Sequence, residues 1–244
     1  MDAPEHNQPL DAAELLLPAD AHRQLVQESA QGATVNLFTR TADGGATWSF
    51  NPVNGAANCQ AASVHALDVN TAFVAQFGAA GGGEIVKTVN GGTRWTKSTT
   101  ISRFAAPVGF ANWVYFFDAN NGVTLGDPNG GSFEVYTTSN GGGTRMHVAA
   151  SNLPAPLSAG EFGLVGSYCA IGNTIWAGTI HLQNPADQTT GIPVRVLKST
   201  DRGLTWTASA PTPLLGSISK EKAGLYTLEL RTESGVVRQK LIGQ

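Results

Sequence analysis

The chain is short of charge. Asp, Glu, Lys and Arg make up 14% of its 244 residues, well under the quarter or so usual in soluble domains. The basic residues are scattered and the net charge is −3. This leaves no basic face for nucleic acid and no polybasic patch for a membrane surface. Long apolar runs are missing as well, so no membrane span is expected. The longest run near the start, Leu15-Leu16-Leu17, has Glu14 before it and Pro18 after it, unlike a signal peptide. Export by another route and a missing native start are both compatible with that. Cysteine is nearly absent. Cys59 and Cys169 lack metal-site spacing and read either as one disulfide or as two separate thiols. The five histidines, His6, His22, His65, His147 and His181, share no ligand spacing. "GAAGGGE" from Gly78 has neither the lysine nor the helix of a phosphate loop. Neither a metal nor a cofactor is therefore expected.

Glycine is plentiful, at 29 residues. With much Thr, Ser and Asn, it points to an all-β chain with many tight turns. Four segments repeat: "TADGGATW" from Thr41, "TVNGGTRW" from Thr88, "TSNGGGTR" from Thr138 and "STDRGLTW" from Ser199. Position one is Thr41, Thr88, Thr138 or Ser199. Position three is Asp43, Asn90, Asn140 or Asp201. Position five is glycine throughout, as Gly45, Gly92, Gly142 and Gly203. Position eight is Trp48, Trp95 or Trp206, with Arg145 replacing the tryptophan in the third copy, and Thr205 precedes the last tryptophan. Strand-like runs flank every copy. An Asp or Asn opening a tight turn accepts backbone N–H bonds ahead of it, and the glycine takes a positive φ without steric cost. The tryptophan then opens the next strand and is expected to be buried beside the hairpin. Each position thus has a structural use, and no reacting group is left over.

The pattern Ser/Thr-x-Asp-x-Gly-x-Thr-Trp resembles the Asp-box, or BNR repeat, of sialidases, other glycoside hydrolases, sortilin-type receptors and photosystem II assembly-factor-like propellers. The segment "FFDANNGVTLGDP" resembles the inner strand pair of the last group. The resemblance implies an all-β, β-propeller-like fold. Strand pairs precede the boxes at "ASVHALD" with "TAFVAQFG", "WVYFFD" with "GVTLGDP", and "GSYCAIG" with "TIWAGTI". That makes about three and a half four-stranded blades within residues 34–210, an incomplete propeller whose first blade lacks its inner pair. Residues 1–33 are expected to form a short helix or an irregular arm, and 211–223 a Pro/Ser/Lys linker. Residues 224–244 alternate with period two around a turn and predict a C-terminal β-hairpin. That tail resembles the end of the type IX secretion sorting domain of Bacteroidetes at Gly224, Tyr226, Gly235, Lys240, Leu241 and Ile242. If so, the secretion machinery is a partner and the protein is secreted or held at the cell surface.

For function, two classes compete. Sialidase chemistry needs an arginine triad. Arg94, Arg145 and Arg202 lie in the repeated turns, and Arg23, Arg231 and Arg238 lie in the arm or tail. A two-carboxylate glycosidase would draw on Asp68, Glu84, Asp118, Asp127, Glu134, Glu161 and Asp187, yet "FDANNG" and "GDPNGG" are good turn sequences. The residues thus favour a non-enzymatic propeller that binds a protein or glycan ligand. The alternative is a glycoside hydrolase or a degenerate relative of one.

Overall fold

The computed structural model describes residues 14–16, 22–30, 33–43, 45–53, 59–78, 82–97, 104, 109–157, 160–181, 192–214, 216–222, 225–232 and 235–242, those of 14–35, 192–193 and 213–242 by backbone alone. The fold is all-β and propeller-like. Blade I is β1 (Glu14–Leu16), β2 (His22–Ala30), β3 (Ala33–Arg40) and β4 (Ser49–Pro52). Blade II is β5 (Cys59–Ala66), β6 (Ala72–Gly78), β7 (Gly83–Thr88) and β8 (Thr96–Lys97). Blade III is β9 (Ala111–Phe116), β10 (Gly122–Asn129), β11 (Ser132–Thr138) and β12 (Met146–His147). Blade IV is β13 (Glu161–Ile171), β14 (Thr174–His181), β15 (Ile192–Ser199) and β16 (Thr207–Ala208). Each is an antiparallel meander in chain order.

Two expectations need correction. Residues 14–30 are not a helix or an irregular arm: β2 pairs with β3 from Arg23↔Arg40 to Ala30↔Ala33, and β1 with β2, so blade I has its inner strands. Gln, Glu, Leu and Ala there have fair helix propensity, but pairing with a neighbouring strand overrides such local preference. The 211–223 segment is not a plain linker either. β17 (Thr212–Leu214) pairs with β15, and β18 (Gly216–Lys222) pairs with β19 (Leu225–Thr232). Proline is tolerated on such an edge strand, which need not donate outward. The hairpin of β19 with β20 (Gly235–Ile242) is widened to three strands by β18. It places Tyr226 opposite Leu241, Thr227 opposite Lys240 and Leu225 opposite Ile242; Gly224 lies outside the described residues. β20 pairs with β19, and β3 with β2 and β4, so no β-ladder joins the tail to blade I among the described residues.

Burial shows where the blades meet. Phe38, Val64, Ala72, Val74, Val86 and Trp95 form one core between blades I and II. Phe73, Ala75, Ile85, Ala111, Val114 and Phe116 form another between II and III. Trp113, Val123, Leu125, Ile175, Leu197 and Trp206 form a third between III and IV. Strands β6 and β9 are accordingly apolar on both faces, with Ala72 to Ala75 and Ala111 to Val114 buried without a break. On β14, only alternate residues Ile175, Ala177 and Thr179 are buried, because among the described residues blade IV meets a neighbouring blade on one face only.

The repeated turn joins the third and fourth strand of every blade, with the same bonds each time. The hydroxyl at position one accepts the N–H of the position-five glycine at 2.8–3.0 Å. The Oδ1 at position three accepts the N–H at position seven (Thr47, Arg94, Thr144 or Thr205) at 2.8–2.9 Å. Positions four and five are both left-handed: Gly91 and Gly92, Gly141 and Gly142, and Arg202 (φ 61°) with Gly203. The double left turn carries the backbone against the preceding blade. A Cβ on Gly92 would meet the Phe38 ring at 2.5 Å, and one on Gly203 would meet Val123 Cγ2 at 2.5 Å. The tryptophans follow. Trp95 lies edge-on to Phe38 of blade I, 5.1 Å between centroids, and Trp206 sits 6.4 Å from Trp113 of blade III.

Trp48 departs from expectation. It is 48% exposed, whereas Trp95 and Trp206 are each 6% exposed. Its ring belongs on a preceding blade, and among the described residues none precedes blade I. Gly45 shows the same, since a Cβ there would meet nothing within 4 Å.

Gly203→Ala is therefore expected to cost about 2–5 kcal/mol, from a left-handed backbone and a steric clash together. Gly45→Ala should cost only about 1–2 kcal/mol, from the backbone alone. Trp206→Ala should cost ~3–5 kcal/mol and Trp48→Ala less than about 1 kcal/mol. Denaturant midpoints of the four variants check the ordering; equal losses at blade I and blade IV would refute the blade-on-blade account.

Candidate functional site

The repeated turns lie between outer strands, and the inner strands present a different surface. β5, β9 and β13 each end a sheet with one edge unpaired, and the three lie against one another. They carry a row of rings. The His65 imidazole (β5) stands 4.6 Å from the Tyr115 ring (β9), and Tyr115 stands 5.7 Å from Tyr168 (β13). Phe117 meets Tyr115 edge-on at 4.9 Å, and Trp113 backs Tyr168 at 5.1 Å. Strand parity explains the row. Trp113, Tyr115 and Phe117 alternate along one side of β9 and reach the core shared with blade IV. His65 is held by a hydrogen bond between Nε2 and the Phe116 carbonyl at 3.1 Å. The Arg202 guanidinium closes one end, 5.9 Å from the Phe117 ring centre. Tyr115 and Tyr168 remain half-buried beside this edge. Burial, then Cys169, raises the Tyr115 phenol above its ordinary value, and burial, then Tyr115, does the same for Tyr168. Both are neutral hydroxyls at physiological pH, able to donate and to accept.

The sequence shows no ligand spacing at His65 and no motif at Tyr115, Phe117 or Tyr168. The available signal was the aromatic density of the first strand of successive blades, "WVYFFD" and "GSYCAIG".

The candidate carboxylates are spent on structure. Asp68 accepts the N–H groups of Asn70 and Thr71. Asp118 accepts those of Asn120 and Asn121 and meets Arg202 at 2.8 Å. Glu84 pairs with Lys97 at 3.0 Å, and Glu134 accepts the Tyr136 hydroxyl at 3.1 Å. Buried Glu161 takes two bonds from Arg195, at 2.6 and 2.7 Å, one from the Thr179 hydroxyl and one from the Leu157 N–H. Asp127 joins blades III and IV, accepting Asn112 Nδ2 at 2.8 Å and the Gly163 N–H at 3.1 Å. Burial pushes its carboxyl above the usual range, against those two bonds. Asp187 lies outside the described residues, as does His6. The two cysteines are separate thiols, Cys59 buried and Cys169 exposed. Among the described residues, no three of His, Cys, Asp and Glu come together as metal ligands.

Hydrogen bonding sets the turn acids. The Thr47 hydroxyl and N–H, then Thr41, lower Asp43 to about 2. The N–H groups of Asn121 and Asn120, the Asn121 side chain and lastly Arg202 bring Asp118 to about 2. Burial works to raise Asp201, and bonds from Thr205, Ser199 and Leu204 outweigh it. Arg145, in the tryptophan place of blade III, is lowered to about 10 by burial.

No protein-family model and no curated protein sequence matches the chain. Among solved structures it is similar to the α-L-arabinofuranosidase Arb93A of Fusarium graminearum, crystallised with an iminosugar inhibitor: TM-score 0.58, 12% identity, 93% of this chain and 76% of that one. It is also similar to the GH74 enzyme of Niastella koreensis, at TM-score 0.53 and 15% identity over 87% of this chain. The chain spans about a third of that protein's length, 32%. YCF48 of Cyanidioschyzon merolae aligns at TM-score 0.49 and 17% identity over 96% of this chain and 71% of that one. At these identities the likeness is one of fold, that of the β-propeller. Among the described residues, no helix is long and apolar enough to cross a membrane.

The depressed turn acids carry a sign. A carboxylate whose folded value lies below its unfolded one, near 3.9, adds stability above that unfolded value. The contribution is lost as pH falls through the folded value, here between about pH 4 and pH 2. Asp43→Asn keeps the Oδ1 acceptor that Asn90 and Asn140 already use. It should therefore leave the Tm at pH 7 little changed and weaken the drop between pH 4 and 2. A pH series of thermal melts measures this; an unaltered acid limb would contradict it.

Proposed function

We propose that the protein is a non-enzymatic binding propeller, secreted or held at the cell surface, whose ligand lies along the inner strands of blades II to IV. The observation that carries the reading is the pairing of two facts. His65, Tyr115, Phe117 and Tyr168 make a continuous aromatic row on the inner edge. All six described candidate carboxylates are meanwhile engaged by protein groups. Ring faces flanked by neutral hydroxyls favour ligands with an apolar face and many hydroxyl or amide groups, namely sugars and extended peptides. Of these, a glycan is the better match. Stacking with few charges suits a neutral polyol, and the chain has little charge to offer a charged partner. The repeated turns stand as structural Asp-boxes in this reading. The C-terminal sheet, with Tyr226, Lys240, Leu241 and Ile242, stands as the sorting tail recognised by type IX secretion machinery.

A glycosidase relative is the second reading. Asp127 supports it, as a partly buried acid held above its ordinary range in the manner of a general acid. Against it, both oxygen-directed bonds and the interblade position give Asp127 a structural use.

Arabinose-containing oligosaccharides are the first probe, because a similar fold handles arabinofuranosides. Titration calorimetry is expected to show binding that falls about fivefold to tenfold in Tyr115→Ala and Tyr168→Ala, each stacked ring contributing roughly 1–1.5 kcal/mol. Product analysis over the same period should show no cleavage. Cleavage abolished by Asp127→Asn would replace this reading with the enzymatic one. Equal binding in the wild type and both tyrosine variants would move the ligand off the inner row.

A further inference from the structure

The interface between blades II and III contains a receiving device. In blade II, Lys87 lies 5.3 Å over the Phe73 ring and donates to the Gly141 carbonyl of blade III at 2.9 Å. Phe73 also lies 3.6 Å from the Cβ position of Gly142. The lysine and the ring together receive the next blade's turn. Both have fixed places in the repeat. Lys87 directly precedes the turn's first residue, and Phe73 stands three residues after Asn70, whose carbonyl accepts the turn N–H of Gly91.

Blade IV carries the same device. Lys198 directly precedes Ser199, and Trp176 stands three residues after Asn173, whose carbonyl accepts the N–H of Arg202. Lys198 Nζ lies 5.8 Å over the Trp176 ring. Among the described residues, no turn sits on this pair. The pairing register puts Cys169, Trp176 and Lys198 side by side across β13, β14 and β15, with Ile171 and Val196 on the same face. Ile171 is 71% exposed and Val196 44%. A monomer seldom leaves such a row in water. At the other end of the fan, blade I presents a turn with nothing to dock on: Gly45 is open, Trp48 is exposed and Phe50 is exposed.

We infer that blade I of a second copy docks on blade IV of the first, Trp48 and the Gly45 turn seating on Trp176 and Lys198. The occupant is argued from continuity: this interface repeats the one that joins blades II and III within the chain. One copy holds both halves, so the contact is head-to-tail. Two copies of four blades would close as a ring of eight, the upper end of the usual propeller range. The inference goes beyond the binding reading and does not depend on it.

The test uses the full chain. Light scattering after gel filtration should give a particle of twice 25.4 kDa. Cys169 serves as a probe of the face, since Cys59 is buried. Its reaction with a maleimide should be slowed at least about tenfold in the two-chain particle and recover on dilution. Trp48→Glu and Trp176→Glu should each be folded single chains by circular dichroism. Mixed together they should regain a two-chain particle, because one intact interface remains. Lys198→Glu replaces Trp176→Glu should that variant fail to fold. Four results would overturn the inference: a single chain with freely reactive Cys169, protection of Cys169 that persists in the single chain, a two-chain particle that survives the substitutions, or variants that do not associate when mixed. The second of these would assign the face to the chain's own tail sheet.

Discussion

Close approach of one blade's turn to the face of the blade before it is the contact on which the rest of this fold depends. It requires two successive left-handed residues and no side chain at the second. Glycine meets both conditions at once, and Gly92 and Gly203 are hemmed in by Phe38 and Val123. A left-handed residue with a side chain costs about 1–2 kcal/mol, and Arg202 is the described non-glycine residue that bears it. Its side chain accounts for the exception. Nε donates to Asn173 within its own blade at 2.7 Å, and Nη1 reaches Asp118 of blade III at 2.8 Å. Elsewhere the cation comes from the preceding blade, just before its own turn. Arg40 lies against Gly91, and Lys87 bonds Gly141. Blade III has Thr137 in that place, and its methyl lies 3.5 Å from the Cβ position of Gly203. Arg202 thus supplies from blade IV the charge that blade III lacks.

The same contact determines where polar groups can be buried. Between blades, the sheet faces are filled by apolar side chains, so a buried acid survives only with full partnership. Glu161 has it from Arg195, Thr179 and the Leu157 N–H. Asp127 has less, two donors and no cation, and its carboxyl is correspondingly raised. The inner edges are aromatic instead. On the inner edges the rings of His65, Tyr115 and Tyr168 pack on each other and stop at the unpaired side of their strands. Rigid sheets hold those rings in place, which favours recognition at low entropic cost.

Much of the fold was legible because its defining feature is local. A turn needs only eight residues to specify itself, and its copies recur along the chain. The inner strand pairs followed from turn residues such as Asn70, Asn120 and Asn173. What escaped was nonlocal. Residues 14–30 carry weak patterning and become strands through β3. Trp48 matches Trp95 and Trp206 within its repeat and differs only in having no blade beneath it. The aromatic row is likewise a property of three strands set side by side, and no single stretch announces it. Asp118 and Asp127 could be read as turn residues, but that Asp118 would face Arg202, and Asp127 the backbone of Gly163, depended on blade order.

Burial periodicity holds the remaining lesson. A strand buried on both faces must lie between two blades, and one buried on alternate residues must end the stack. β6 and β9 are of the first kind and β14 of the second. Blade IV nevertheless retains on its outer face a Lys198 and Trp176 pair like the Lys87 and Phe73 pair with which blade II receives blade III. A lone terminal face would gain more from charge than from an exposed tryptophan beside Ile171 and Val196. The apolar face and the unseated Trp48 turn are two halves of one interface. A repeat architecture grows by adding such halves until it either caps itself with polar residues or meets its own beginning. The described outer face of blade IV, with Trp176, Ile171 and Val196, is not such a cap, and the physics of the repeat therefore favours the meeting.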